Sequence, residues 1–172
     1  AYATSAHKWM LAPKGTGLLY LSEKARERIA PPLLQHGNAV YTAATGTRDL
    51  AGILGLGAAI RFLTAIGQER IERRAFQLRA VACEALSRIP GVRLVSSPGP
   101  EFASALVVFA LPEGVDSTAL AAALRDRHRV IVRVVPPEVA NGLRISFHLY
   151  NDEEQIARLV RALRTELGGT PG

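Results

Sequence analysis

The 172-residue chain is 48% hydrophobic, holds one cysteine and carries a formal net charge of +6. That length and apolar content suffice for one large or two small domains with a buried core, whereas a lone cysteine excludes an internal disulfide framework and speaks against a structural zinc site. The basic excess alternates with Glu in Glu23 to Arg28 and Glu69 to Arg79, as on solvated helix faces, and Arg, Glu, Gly or Pro interrupts every apolar run, so the reading is a cytoplasmic protein with no nucleic acid partner and no membrane span.

Tyr2 to Ser5 reads as a short strand that ends at His7-Lys8, after which Pro13-Lys14-Gly15-Thr16-Gly17 turns the chain into the apolar strand Leu18 to Leu21. A lysine at a strand end has one distinctive use. Its unprotonated amine condenses with an aldehyde to give a Schiff base, and partial burial favours that form. Ser5 and His7 place hydrogen-bonding groups beside it. Spacing alone does not separate this role from a solvated charge. The chain opens on Ala1 rather than Met, within the first predicted strand, and so reads as the second half of something longer.

Ser22 is placed to cap a short helix, Glu23 to Ile29, that Pro31-Pro32 stops. A long polar connection follows, from Leu33 to Thr47, and it contains Tyr41, which is within the range of candidates for a substrate contact. It ends in Thr45-Gly46-Thr47-Arg48-Asp49, where Thr47 or Asp49 is the N-cap of the next helix and the helix N-terminus is itself an anion site. That helix, Leu50 to Ile66, is apolar on nearly every face and is expected to lie buried between layers. Gly67 ends it.

Gln68 to Arg88 reads as a longer helix with Ile71, Ala75, Leu78, Ala82 and Leu86 on one face, closed by Pro90-Gly91. The change from apolar to charged helix puts a domain boundary at Gly67, dividing 1–67 from 68–172. Beyond it the sequence predicts a strand at Val92 to Val95, a turn at Pro98-Gly99-Pro100, a buried strand at Ala105 to Ala110, a helix at Ser117 to Arg127, and strands at Val130 to Val135 and Leu143 to Phe147. The last helix carries Ile156, Leu159, Val160, Leu163 and Leu167 on one face, with Asn151 and Glu154 as its capping box.

Alternation in Leu143-Arg144-Ile145-Ser146-Phe147 puts Arg144 and Ser146 on one face. A guanidinium on a strand can grip a carboxylate through two parallel hydrogen bonds, although a solvent-facing arginine has the same pattern. Cys83 lies mid-helix beside Ala82 and Ala85, where a small apolar packing residue is expected. His36, His128 and His148 have no spacing that suggests a metal or a relay, and Trp9 reads as a packing residue of the lysine turn.

Ser-x-His-Lys followed by Pro-Lys-Gly-x-Gly-x-Leu-Tyr resembles the cofactor-lysine segment of the class V aminotransferase family of fold type I pyridoxal phosphate enzymes, which includes isopenicillin N epimerases and cysteine desulfurases. The segment Leu-Arg-Ile-Ser-Phe-His-Leu-Tyr-Asn resembles the same family's C-terminal signature. The resemblance implies an α/β fold, with 1–67 the tail of the large cofactor-binding domain and 68–172 the small C-terminal domain. It implies that Lys8 carries pyridoxal 5'-phosphate as an internal aldimine and that Ser5 and His7 contact its phosphate. By the same resemblance Gly46 and Thr47 reach the phosphate across the interface of a homodimer, and Arg144 binds the α-carboxylate of an amino acid substrate.

The family pattern puts the ring-stacking aromatic and the acid facing the pyridine nitrogen upstream, so the chain is expected to need a missing N-terminal half, in its own or another polypeptide, and to be inactive or nearly so alone. A desulfurase needs a thiol on a mobile loop, and Pro136 to Gly142 holds no cysteine, which turns the resemblance toward the epimerase-like branch. The competing expectation is a non-catalytic dimerisation or scaffold remnant of the same fold.

Overall fold

Strands β1 (Tyr2–Ser5) and β2 (Gly17–Tyr20) pair antiparallel, with Tyr2 opposite Tyr20 and Ser5 opposite Gly17. The computed structural model describes residues 1–29, 49–97 and 99–168, which fall into two separately packed units, Ala1–Gln68 and Glu69–Gly172. In the first unit, helix α1 (Glu23–Arg26) is capped by Ser22, whose Oγ accepts the Ala25 N–H at 3.2 Å. It is a turn shorter than the sequence predicts. The amides of Arg28 and Ile29 both bond to the Ala25 carbonyl, at 3.1 and 2.9 Å, so the helical ladder stops advancing there.

Helix α2 (Leu50–Ile66) has the predicted bounds. Of its two candidate caps, Asp49 accepts the Gly52 N–H at 2.9 Å, and Thr47 lies outside the described residues, as does the whole polar connection. Gly67 closes the helix at φ 94°, a left-handed geometry that costs glycine nothing. The expected burial is not found. Leu50, Ile53, Leu54 and Phe62 are each at least half exposed, and only Gly52 and Ala59 of the helix are buried. The packed face is the small-residue one, Gly52, Gly55 and Ala59, at helical spacing. Among the described residues of this unit a single hairpin and the one-turn helix α1 accompany α2, too little to cover the large side chains.

The second unit is a four-stranded antiparallel sheet of order β3-β4-β6-β5, built from β3 (Arg93–Leu94), β4 (Leu106–Ala110), β5 (Arg133–Val134) and β6 (Gly142–Ser146). Helices α3 (Gln68–Ser87), α4 (Ser117–His128) and α5 (Glu153–Glu166) all contribute to one core. Val107, Phe109, Leu143 and Ile145 point into it and meet Leu78, Leu86, Leu124, Leu159 and Leu163. The strand predicted as buried at 105–110 is therefore covered on one face only: Leu106 is exposed and Val108 and Ala110 are half-buried. Gly142 is obligatory in β6, because a Cβ there would lie 2.3 Å from the Phe109 carbonyl oxygen.

Two further expectations are corrected. The strand predicted over 130–135 shrinks to Arg133–Val134 because the Val130 amide bonds to Leu124 O at 2.9 Å, finishing the C-terminus of α4 rather than joining the sheet. Ile131 is left 86% exposed. The cap of α5 is Asp152, which accepts the Gln155 N–H at 2.9 Å. Asn151 instead accepts the His148 N–H at 2.7 Å and holds the preceding turn, while Glu154 pairs with Arg161. Asp116, which the sequence reading passed over, caps α4. Among the described residues no single helix is long and apolar enough to cross a membrane.

Candidate active site

The lysine turn is built by its backbone. As β1 ends, the Ala6 N–H donates to Thr16 O at 3.0 Å and the Ala6 carbonyl accepts from Ala12 N at 3.1 Å, so the loop from Ala6 to Ala12 is pinned at its neck. Within it, Leu11 N donates to Lys8 O at 3.1 Å. Leu11 takes φ 56°, a left-handed conformation that costs a non-glycine residue about 1 kcal/mol. Ala6 and Ala12 are buried against Ala59, with Met10 and Leu56 around them. Gly55 lets the loop sit on α2, since a Cβ there would lie 2.5 Å from Pro13 Cγ.

Ser5, His7 and Lys8 are all exposed on this frame. None of the three makes a side-chain hydrogen bond or ion pair among the described residues. The partial burial expected of Lys8 is not supplied by these residues: Lys8 is exposed, and the turn that carries it is seated through small neighbours. Trp9 is 40% exposed and so packs less than expected. A primary amine on a backbone-pinned loop, next to a free hydroxyl and a free imidazole, fits a ligand that presents an aldehyde and a phosphate.

Arg144 lies on β6 in the second unit, exposed beside buried Leu143 and Ile145, and Ser146 shares its face. Its cross-strand neighbours are Val108 on β4 and Arg133 on β5. Gly46, Thr47, Tyr41 and His36 lie outside the described residues. Cys83 is half-buried in α3, and burial pushes its thiol up, with the Arg79 charge acting the other way, which suits a packing residue rather than a thiolate nucleophile.

The remaining histidines serve structure. His128 Nε2 lies 2.8 Å from Glu166 Oε1, and Arg127 reaches the other oxygen at 3.0 Å. Those partners, His128 first, hold the Glu166 carboxyl below the usual range. His148 is buried and its ring stacks on Tyr150 with centroids 4.7 Å apart. No group of three metal-ligating side chains occurs among the described residues. Sequence reading missed the seat under the lysine turn, although its signal was present as the i, i+3, i+7 spacing of Gly52, Gly55 and Ala59.

A lysine turn seated on a helix, together with a helix-backed antiparallel sheet bearing an arginine, are parts of a fold type I pyridoxal phosphate enzyme, and solved structures of that class superpose on the chain. The cysteine desulfurase of Thermococcus onnurineus matches with a TM-score of 0.81 and 29% identity, over 98% of this chain and 47% of that one. The chain belongs to the aminotransferase class-V family, whose model matches residues 1–159. Members of this family are pyridoxal phosphate-dependent. Among curated relatives it is 33% identical to the isopenicillin N epimerase of Amycolatopsis lactamdurans, over 95% of this chain and 46% of that protein. It is also 33% identical to a probable cysteine desulfurase of Mycobacterium leprae, over 92% of this chain and 42% of that protein. The chain thus spans about half the length of the curated relatives it matches.

Proposed function

We propose that this chain is the half of a pyridoxal phosphate enzyme that supplies the cofactor lysine and the substrate-carboxylate arginine for a reaction at the α-carbon of an amino acid. In this reading 1–67 is the tail of the large domain and 68–172 the small domain of a homodimer. The observation that supports it best is Lys8 itself: in a chain of this family, it is exposed, with no side-chain partner among the described residues, on a loop pinned at both ends by backbone hydrogen bonds. A lysine kept only for solubility needs no such frame.

Lys8 Nζ would hold the cofactor through its aldehyde, while Ser5 and His7 would donate to its phosphate, with Gly46 and Thr47 serving the phosphate of a second copy. When bound, the cofactor supplies a conjugated electron sink for negative charge at the substrate α-carbon. Arg144 receives the α-carboxylate with two parallel hydrogen bonds and thereby orients the α-carbon bonds. Lys8 Nζ would take up and return the α-proton, and the face to which it is returned would decide between epimerisation and retention. Cys83, half-buried in a helix, weighs against a persulfide carrier and so favours the epimerase-like branch over the desulfurase-like one.

The test is borohydride trapping with the longest polypeptide that contains this chain. After incubation with pyridoxal phosphate, reduction and digestion, the expected adduct is confined to Lys8. An adduct scattered over exposed lysines in that full form would leave a scaffold with the family's fold and no cofactor site.

A further inference from the structure

Arg133 on β5 stands directly opposite Arg144 on β6. Val135 N donates to Gly142 O at 3.0 Å two positions along, so Arg133 and Arg144 also form a hydrogen-bonded pair, with Cα atoms about 5.5 Å apart. Residues directly opposite in an antiparallel pair share a face. This is the face opposite the helix-covered core, and both arginines are exposed on it. Arg93, opposite Ala110, adds a third cation to the same face at the β3 edge.

Like charges facing one another across strands are unfavourable, and a guanidinium cannot relieve the repulsion by losing its proton. Five other arginines of this unit pair with carboxylates, Arg74 with Glu153, Arg88 with Glu84, Arg125 with Asp126, Arg127 with Glu166 and Arg161 with Glu154. Arg133 and Arg144 have no such partner among the described residues. Glu138, in the loop between β5 and β6, pairs with neither, and the strand positions of this face hold no carboxylate.

We infer that Arg133 and Arg144 form a two-guanidinium clamp for an amino acid with a second acid group, Arg144 taking the α-carboxylate and Arg133 the acid of the side chain. The inference rests on the carboxylate role proposed above for Arg144 and adds the substrate class. One carboxylate fills one guanidinium fork. With Arg144 so occupied, Arg133 still presents an unneutralised charge, which a monocarboxylate leaves in place and a dicarboxylate removes. Two or three methylene groups hold two carboxylates apart by roughly the cross-strand spacing. Val108, directly across from Arg144 on β4, offers apolar surface beside them.

The experiment is calorimetric titration of the full-length holoenzyme with glutarate and with butyrate, in the wild type and the Arg133→Gln, Arg133→Lys and Arg144→Gln variants. Glutarate is expected to bind about tenfold more tightly than butyrate to the wild type, as one added charge-assisted pair gives. Arg133→Gln abolishes that preference while leaving butyrate within about twofold, Arg133→Lys restores part of it, and Arg144→Gln weakens both ligands about tenfold. Without ligand, Arg133→Gln raises the thermal midpoint by about 2 °C, because a repulsion is removed; a purely structural arginine would lower the midpoint and both affinities together, which overturns the clamp. An unaltered glutarate preference in Arg133→Gln, with Arg144→Gln effective, sinks the clamp alone. No effect of Arg144→Gln on butyrate sinks the carboxylate role of Arg144 itself.

Discussion

The two units bury their sequence in opposite ways. In the second, Phe109, Leu78, Leu86, Leu124, Leu143 and Leu163 are fully buried between a sheet face and three helices, and each such side chain contributes on the order of 2 kcal/mol. In the first, the buried apolar residues among those described are Ala6, Ala12 and Ala59, while Tyr2, Leu19, Tyr20, Leu50 and Leu54 are each more than 60% exposed. An alanine buries a single methyl, and a lone two-stranded hairpin is marginal in water. The second unit therefore holds its shape by packing, whereas the lysine turn is held by backbone hydrogen bonds and by the close fit of glycines. Precision at Lys8 comes from the fit, and strength comes from elsewhere.

Trp9, the only tryptophan, reports on the first unit, and far-UV circular dichroism draws mostly on the second, which holds three of the four long helices. In urea the Trp9 transition is expected at lower concentration than the dichroism transition, and coincident transitions would break the contrast. The largest single effect expected is that of Phe109→Ala, which opens a cavity in the packed core and costs about 3–5 kcal/mol by dichroism. Gly55→Ala is predicted to act on the other side. Helix propensity favours the alanine by about 1 kcal/mol, but its Cβ would meet Pro13 Cγ at 2.5 Å and Cδ at 3.0 Å, and a proline ring cannot swing away. Overpacking of this kind costs about 1–3 kcal/mol, so the Trp9 midpoint and the trapping of pyridoxal phosphate at Lys8 should both fall, with the dichroism midpoint unmoved. A smaller effect is expected from Asp49→Ala, about 1 kcal/mol from loss of the α2 cap, seen in the Trp9 midpoint with the main dichroism transition unmoved. Loss of dichroism stability in either variant would show that the units are not energetically separate.

Local signals were legible where one stretch of chain decides the outcome. The bounds of α2 follow from a capping aspartate and a terminal glycine, and the exposure of Arg144 between two buried residues follows from strand alternation. Legibility failed where a distant partner decides. Asn151 and Asp152 are equally good caps in isolation, and the choice falls to Asp152 because Asn151 is engaged by the His148 turn. The composition of α2 says that its side chains favour burial, not whether covering chain is present beside them. At the candidate site, Ser5, His7 and Lys8 are neighbours in sequence and so fall together on one turn, whereas the alignment of Arg133 with Arg144 depends on strand register, which no local pattern fixes.

The smallest effect sharpens the contrast through pH. Arg74 donates to both oxygens of Glu153, at 2.6 and 2.9 Å, and chiefly through those hydrogen bonds holds the carboxyl at about 2 rather than its ordinary 4.5. The unfolded chain, with the higher value, binds a proton first as pH falls. The stabilisation is therefore whole above pH 4.5 and is lost progressively as pH drops toward about 2. The Glu153→Gln variant is expected to reduce the slope of the dichroism midpoint over that window, with a slope from Glu166 and Asp126, whose carboxyls are also lowered, remaining. Since both partners are partly exposed, salt should shrink the difference between variant and wild type. The Trp9 midpoint should not respond to the substitution at any pH, because Arg74 and Glu153 both belong to the packed second unit. A Glu153→Gln variant with the wild-type slope would show that this ion pair does not report on folding of that unit.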